Sequence, residues 1–202
     1  MENKWKYRTA IKSQSFLYIE TKKAAKLILQ GLDEDQIRDK SLAYNIFQVN
    51  TDARKTEIAS AVVTRLKALD SFFIEKLVNA DIQTSKLIAI YSIMKTDRLF
   101  FEFMNEAYKD KIILRDNFIW DKDFNIFFDR KKEQSAKVAS WTDYTFYKLK
   151  QVITRILNEA GLIRNEGRKR EVVRPIVENS VVEHFKKIGD TVYLNIFTGK
   201  AE

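Results

Sequence analysis

A chain of 202 residues, 45% of them hydrophobic, can bury a core and is not disordered, and a single Pro with five Gly favours long helices over a many-turned β-sandwich. The lack of Cys excludes a disulfide framework, thiolate chemistry and Cys-ligated metal. The formal charge of +8 is segregated, with 13 Lys/Arg against 8 Asp/Glu in residues 1–69, 12 against 12 in 70–139 and 11 against 8 in 140–202, a basic excess at both ends that suits a polyanion or an acidic protein partner.

The opening MENKWKYRTAIKSQ lacks the apolar stretch of a signal peptide, and no apolar run approaches the roughly 18 residues of a membrane span, so a cytoplasmic protein without membrane contact is expected. Lys4, Lys6, Arg8 and Lys12 surround Trp5 and Tyr7. Such a segment can lie along phosphates, or be an arm anchored in a core groove by its Trp. Residues 15–32 read as a helix with Gly31 near its end, and Asp33 with Gln36 forms a capping-box pattern opening a second helix to Tyr44. After the connection NIFQVN, Thr51 caps a third helix, 51–69, with Ile58, Ala59, Val62, Leu66 and Leu69 as its buried stripe. At about 100° per residue, Arg54 and Arg65 share nearly one meridian at the border of that stripe, and Lys67 lies on the outer face. Helix, short helix, connection and basic helix is also the order of a helix-turn-helix.

The run YRTAIKSQSFLYIETKKAAKLILQGLDEDQIRDKSLAYNIFQVNTDARKTEIASAVVTRLKALD resembles the N-terminal part of the BrxA family, the small component of BREX bacteriophage-exclusion systems. The features that carry the resemblance are Tyr7-Arg8, Glu20-Thr21, Gly31 before an acidic helix start, Asn45-Ile46-Phe47 and Arg65-Leu66 ahead of Leu69. Thr96-Asp97 before an aromatic-rich helix and Glu159-Ala160-Gly161-Leu162 extend it over nearly the whole chain. The resemblance implies a mostly helical, non-enzymatic, DNA-binding accessory protein of phage defence, with other BREX proteins as further partners. It carries over no functional residue.

In the middle third, LIAIYSIM (87–94) suits a buried helix, and Asp97 caps a second one whose Leu99, Phe100, Phe103, Met104 and Ala107 repeat at helical spacing as core. Asp121 or Asp123 begins another helix containing Phe124, Phe127 and Phe128. Asp121-x-Asp123 is read as a cap, since no His or further acid is spaced to complete a metal set, and no cofactor is expected. In the last third, Thr142 caps a helix with Val152, Ile153, Ile156, Leu157 and Ala160 on one face and Gly161 at its end. Arg164, Arg168, Lys169, Arg170 and Arg174 follow, centred on Gly167, as in the wing of a winged-helix domain or in a solvated charged loop. Pro175 is placed in the first turn of a helix over 174–188, and TVYLNIF (191–197) is read as a strand pairing with 162–163 or 172–173. His184, the single histidine, has no recognisable catalytic partner.

The expected fold is mainly α, a helical bundle with a C-terminal winged-helix-like unit carrying a small β-hairpin or sheet. Its regions are a basic helical 1–69, possessing helix-turn-helix order, a neutral helical 70–139, and a winged-helix-like 140–202. No phosphate-cradling, dinucleotide, HExxH or His-triad motif is present, so no enzyme or small-molecule substrate is expected. The function expected first is largely sequence-independent binding of double-stranded DNA in a BREX phage-defence system. Phosphate contacts are assigned to Arg164, Arg168, Lys169, Arg170 and Arg174, extended by Lys148 and Arg155, with Arg54, Arg65 and Lys67 as a second set. The alternatives are a helical adaptor docking onto another BREX protein, and an RNA-binding module.

Overall fold

The computed structural model describes residues 6–166 and 169–200, without the side chain of Glu166. The roles expected of Lys4 and Trp5 in the N-terminal arm, and the phosphate contact expected of Arg168, lie outside the described residues. The chain is mainly helical, with one small three-stranded antiparallel sheet. It forms two compact units: Phe16–Thr96, and Met1–Ser15 joined with Asp97–Glu202. These are packing units, whereas the three regions above were drawn from charge.

The unit Phe16–Thr96 contains α1 (Tyr18–Leu29), α2 (Glu34–Tyr44), α3 (Asp52–Lys67), α4 (Ser71–Asn79) and α5 (Ile82–Thr96). Helix α1 is shorter than the pattern suggested, because Leu17 takes a left-handed conformation (φ 49°) and Gly31 another (φ 91°). The capping box is present: the Gln36 amide donates to Asp33 Oδ1 at 2.8 Å, and Gln36 Oε1 accepts from the Asp33 amide at 2.9 Å. Thr51 caps α3 by accepting the Arg54 amide at 3.2 Å. Helix α5 extends beyond LIAIYSIM, and nearly every residue from Thr84 to Met94 is buried, as befits a helix that is apolar all round.

In the other unit, Asp97 accepts the Phe100 amide at 2.8 Å and opens α6 (Arg98–Phe103). This runs through a wide π-helical turn, Met104–Tyr108, into α7 (Lys109–Leu114). Then follow β1 (Phe118–Ile119), α8 (Asp121–Gln134), α9 (Ala136–Ala139), α10 (Asp143–Ala160), β2 (Ile163–Glu166), β3 (Lys169–Val172), α11 (Asn179–Lys187) and α12 (Thr191–Thr198). A train of rings ties three helices together: Phe103 stacks on Phe124 (4.7 Å), Phe128 meets Phe146 (5.2 Å), and Trp141 covers Phe146 (5.9 Å). Below it lies Lys131, 2% exposed, with its ammonium 2.5 Å from Glu106 and 3.0 Å from Glu102. Glu102 also accepts from Tyr7 Oη (2.8 Å) and Arg98 Nε (2.7 Å). Burial would raise the Glu102 carboxyl, but the hydrogen bonds from Arg98, Lys131 and Tyr7 hold it below the usual range.

Two expectations fail here. The segment 191–197 is helix α12, with Tyr193, Leu194, Ile196 and Phe197 buried at helical spacing. Its expected place in the sheet is taken by β1, whose Phe118 and Ile119 pair with Glu171 and Arg170 of β3. Nor does Pro175 begin a helix, since α11 opens only at Asn179. The chain leaves β3 extended, the Val173 amide donating to the Leu162 carbonyl at 2.9 Å, and a residue preceding Pro favours that conformation.

Gly199 ends α12 at φ 68°, and a Cβ there would collide with Ile112 Cγ2. Gly199→Ala is expected to cost about 2 kcal/mol, from combined backbone strain and overpacking, read as a lowered midpoint in urea. The same substitution at Gly161, at a similar φ with open space around it, should cost less.

Candidate nucleic-acid interface

Helix α10 is the longest helix of its unit and is sharply two-sided. Thr142 Oγ1 accepts the Thr145 amide at 3.3 Å to start it, and Gly161, at φ 78°, ends it. Phe146, Leu149, Val152, Ile153, Ile156, Leu157 and Ala160 are buried on one side. At 100° per residue the opposite side carries Tyr144, Tyr147, Lys148, Gln151, Arg155 and Asn158, with Glu159 at its edge. Tyr144 and Tyr147 are 65% and 51% exposed, which leaves two large rings in water within a cationic face. Lys148 lies over the Tyr144 ring at 5.4 Å, and Arg155 is exposed.

Gly161 turns the chain from this helix straight into the β2–β3 hairpin. Strand alternation then sorts the hairpin's charges. Arg164 stands opposite Glu171 and is 3.6 Å from its carboxylate, with two thirds of the Arg164 side chain in solvent. Lys169 is exposed on the same face, its ammonium 5.7 Å from the Phe118 ring. Arg170 points to the other face, where Ile119 and Ile163 are buried. There its guanidinium reaches Asp121 at 2.8 Å and lies over Phe124 at 5.5 Å. Asp121 also binds Lys150 of α10 at 2.9 Å. One carboxylate at the start of α8 thus ties helix α10 to strand β3, and the hydrogen bond from Lys150, with that from Arg170, holds its carboxyl below the usual range. Arg170 is accordingly a tie within the fold, with 18% of its side chain in solvent. Arg174 is exposed but donates to the Ile112 carbonyl at 3.0 Å.

The second expected set fares differently. Arg65 is 4% exposed and its guanidinium donates to the Phe16 carbonyl at 2.8 Å, so it is out of reach of a phosphate. The position at the border of the stripe that made it look available in fact turns it into the core. Arg54 pairs with Glu57 at 2.6 Å, and Lys67 pairs with Glu34. A cavity of about 560 Å³ beside Lys67 is rimmed by Asp33, Glu34 and Asp35, which disfavours a polyanion there.

The Asp121-x-Asp123 pair is fully occupied by the protein. Asp123 caps α8 by accepting the Trp120 amide at 2.7 Å and pairs with Lys111 at 3.0 Å. Among the described residues no group of three or more His, Cys, Asp or Glu is arranged to hold a metal ion, and no helix is long and apolar enough to cross a membrane. Sequence reasoning missed Tyr144, Tyr147 and Gln151. Their signal was the complement of the apolar stripe already recognised on the same helix.

A family model for BrxA matches residues 5–189. The chain is 52% identical over 194 residues to the BREX protein BrxA of Bacillus cereus (strain H3081.97), covering 96% of this chain and 97% of that protein. The fold matches the crystal structure of an uncharacterized protein from Magnetospirillum magneticum with a TM-score of 0.81, at 20% identity, over 96% of this chain and 99% of that one. The chain belongs to the BrxA family of BREX proteins.

Proposed function

We propose that this protein binds double-stranded DNA, largely without regard to sequence, as a non-enzymatic component of BREX phage defence in the cytoplasm. The observation that carries the reading is the element order α7–β1–α8–α9–α10–β2–β3, in which α9 is a single turn between two longer helices, with strand order β1–β3–β2, around a helix whose outer face is aromatic and cationic. That order resembles a winged helix-turn-helix, in which the second long helix enters the major groove and the hairpin lies along the adjoining backbone. Helix α10 is then the inserted helix, with Lys148 and Arg155 on phosphates. Tyr144, Tyr147 and Gln151 face the groove, and Arg164 and Lys169 reach the backbone from the hairpin.

Charge supports the same placement. The unit containing α10 holds 24 Lys/Arg against 18 Asp/Glu, net +6, whereas Phe16–Thr96 holds 12 against 10, net +2. Titrating a labelled duplex at about 50 and 200 mM salt tests the reading, since neutralising several phosphates makes affinity fall steeply with salt. The expected result is tight, salt-sensitive binding that a structured RNA displaces poorly. Absence of binding at the lower salt, or displacement by RNA at equal concentration, would overturn it.

A further inference from the structure

We infer that the outer face of α1, together with the start of α5, is a docking surface for an acidic, partly apolar surface of another protein. The inference does not depend on duplex binding.

At 100° per residue, Ile19, Lys22, Lys23, Lys26 and Leu29 fall within one arc of α1, a strip about 15 Å long. Ile19 is 68% exposed at one end and Leu29 47% exposed at the other. Ile82 of α5, also 68% exposed, lies about one turn before Ser85 and Lys86, which meet Tyr18 at the start of α1. The two helices are fixed to each other at this point: Tyr18 Oη donates to Ser85 Oγ at 3.1 Å, one turn after Ile82, and Ser85 Oγ donates to the Leu77 carbonyl. The ammonium groups of Lys22 and Lys86 each lie 5.9 Å from the centre of the Tyr18 ring. Among the described residues Lys22, Lys23 and Lys26 make no ion pair with a carboxylate, in contrast to Arg54 and Lys67 of the same unit. Lys23 instead donates to the Ile46 carbonyl at 2.7 Å.

Charge and apolarity together select the occupant. Exposed isoleucines on two joined helices, edged along α1 by Lys22, Lys23 and Lys26, have the apolar centre and charged rim of a protein interface. Complementarity requires carboxylates on the partner's rim. A phosphate backbone supplies the negative charge but offers nothing against which Ile19 and Ile82 can be buried. Duplex DNA is therefore the poorer fit.

The test uses the full chain against each of the other BREX proteins, purified singly, in an interferometry measurement. Two variants are compared with the parent: Ile19→Ser with Ile82→Ser, and Lys22→Glu with Lys26→Glu. One of those proteins should bind the parent, and each variant should bind it about ten- to a hundredfold more weakly. The isoleucine variant should retain its thermal midpoint and its affinity for a labelled duplex, because both side chains already face solvent. The inference is overturned if no BREX protein binds, or if both variants bind as the parent does. It is equally overturned if the loss appears instead on the duplex or on phosphatidylglycerol vesicles.

Discussion

Lys131→Met is expected to cost the fold about 3–5 kcal/mol, the usual penalty for removing one partner from a buried charge cluster. The lysine lies over Phe127 at 5.4 Å and joins Glu102 of α6 to Glu106 of the π-helical turn and Gln134 at the end of α8. Methionine fills similar space but leaves Glu102 and Glu106 without their shared cation. The loss should depend on pH, and its sign follows from Glu102. That carboxyl is held below its ordinary value in the folded protein, so its contribution is present above the unfolded carboxylate range and fades as pH falls through the folded value. In the variant the Glu102 carboxylate, still buried but without the Lys131 hydrogen bond, protonates more readily. The difference from wild type should therefore be largest near neutrality and shrink in mild acid. Urea unfolding at pH 7 and at about pH 4.5 measures both, and an equal loss at the two values would argue that packing, not charge, sets the role of Lys131.

Reversing Lys148, Arg155 and Lys169 to Glu is expected to weaken duplex binding by about two to three orders of magnitude at low salt, since three favourable phosphate contacts become repulsive. The comparison is with Arg54→Glu and Lys67→Glu. Those cations already pair with Glu57 and Glu34, and their reversal should change duplex affinity by no more than about threefold, within what screened long-range charge accounts for. An equal loss from the two sets would place the interface elsewhere. Because Lys148, Arg155 and Lys169 do not lie in the core, the thermal midpoint of the triple variant should stay close to that of wild type.

Much of this architecture was legible in local chemistry. Asp33 with Gln36, Thr51, Asp97 and Thr142 all cap the helices expected of them, because a cap acts through neighbours three residues away. The apolar stripe of α10 was equally plain, since burial on one face of a helix leaves a period in the sequence. Failures came where distant chain decides. TVYLNIF alternates well enough for a strand, but Phe118 and Ile119 occupy the edge of β3 and leave that segment to pack as a helix. A two-residue strand has too little pattern to announce itself. The site followed the same rule. Arg155, Arg164 and Lys169 are exposed and Lys148 is half-buried on the outer face of α10, whereas Arg65 and Arg170 are claimed by Phe16 and Asp121, partners far away in sequence. No local pattern distinguishes an arginine that reaches outward from one that ties its own fold.

The salt dependence of duplex affinity in Lys148→Gln, Arg155→Gln and Lys169→Gln tests the central claim most directly. Each residue that contacts a phosphate contributes about one to the slope of log affinity against log salt. The slope should become shallower by about that amount in each single variant and additively in the triple, while Arg65→Gln lowers stability instead. A slope unchanged in all three variants would contradict the assignment of α10 and its hairpin as the DNA-binding surface.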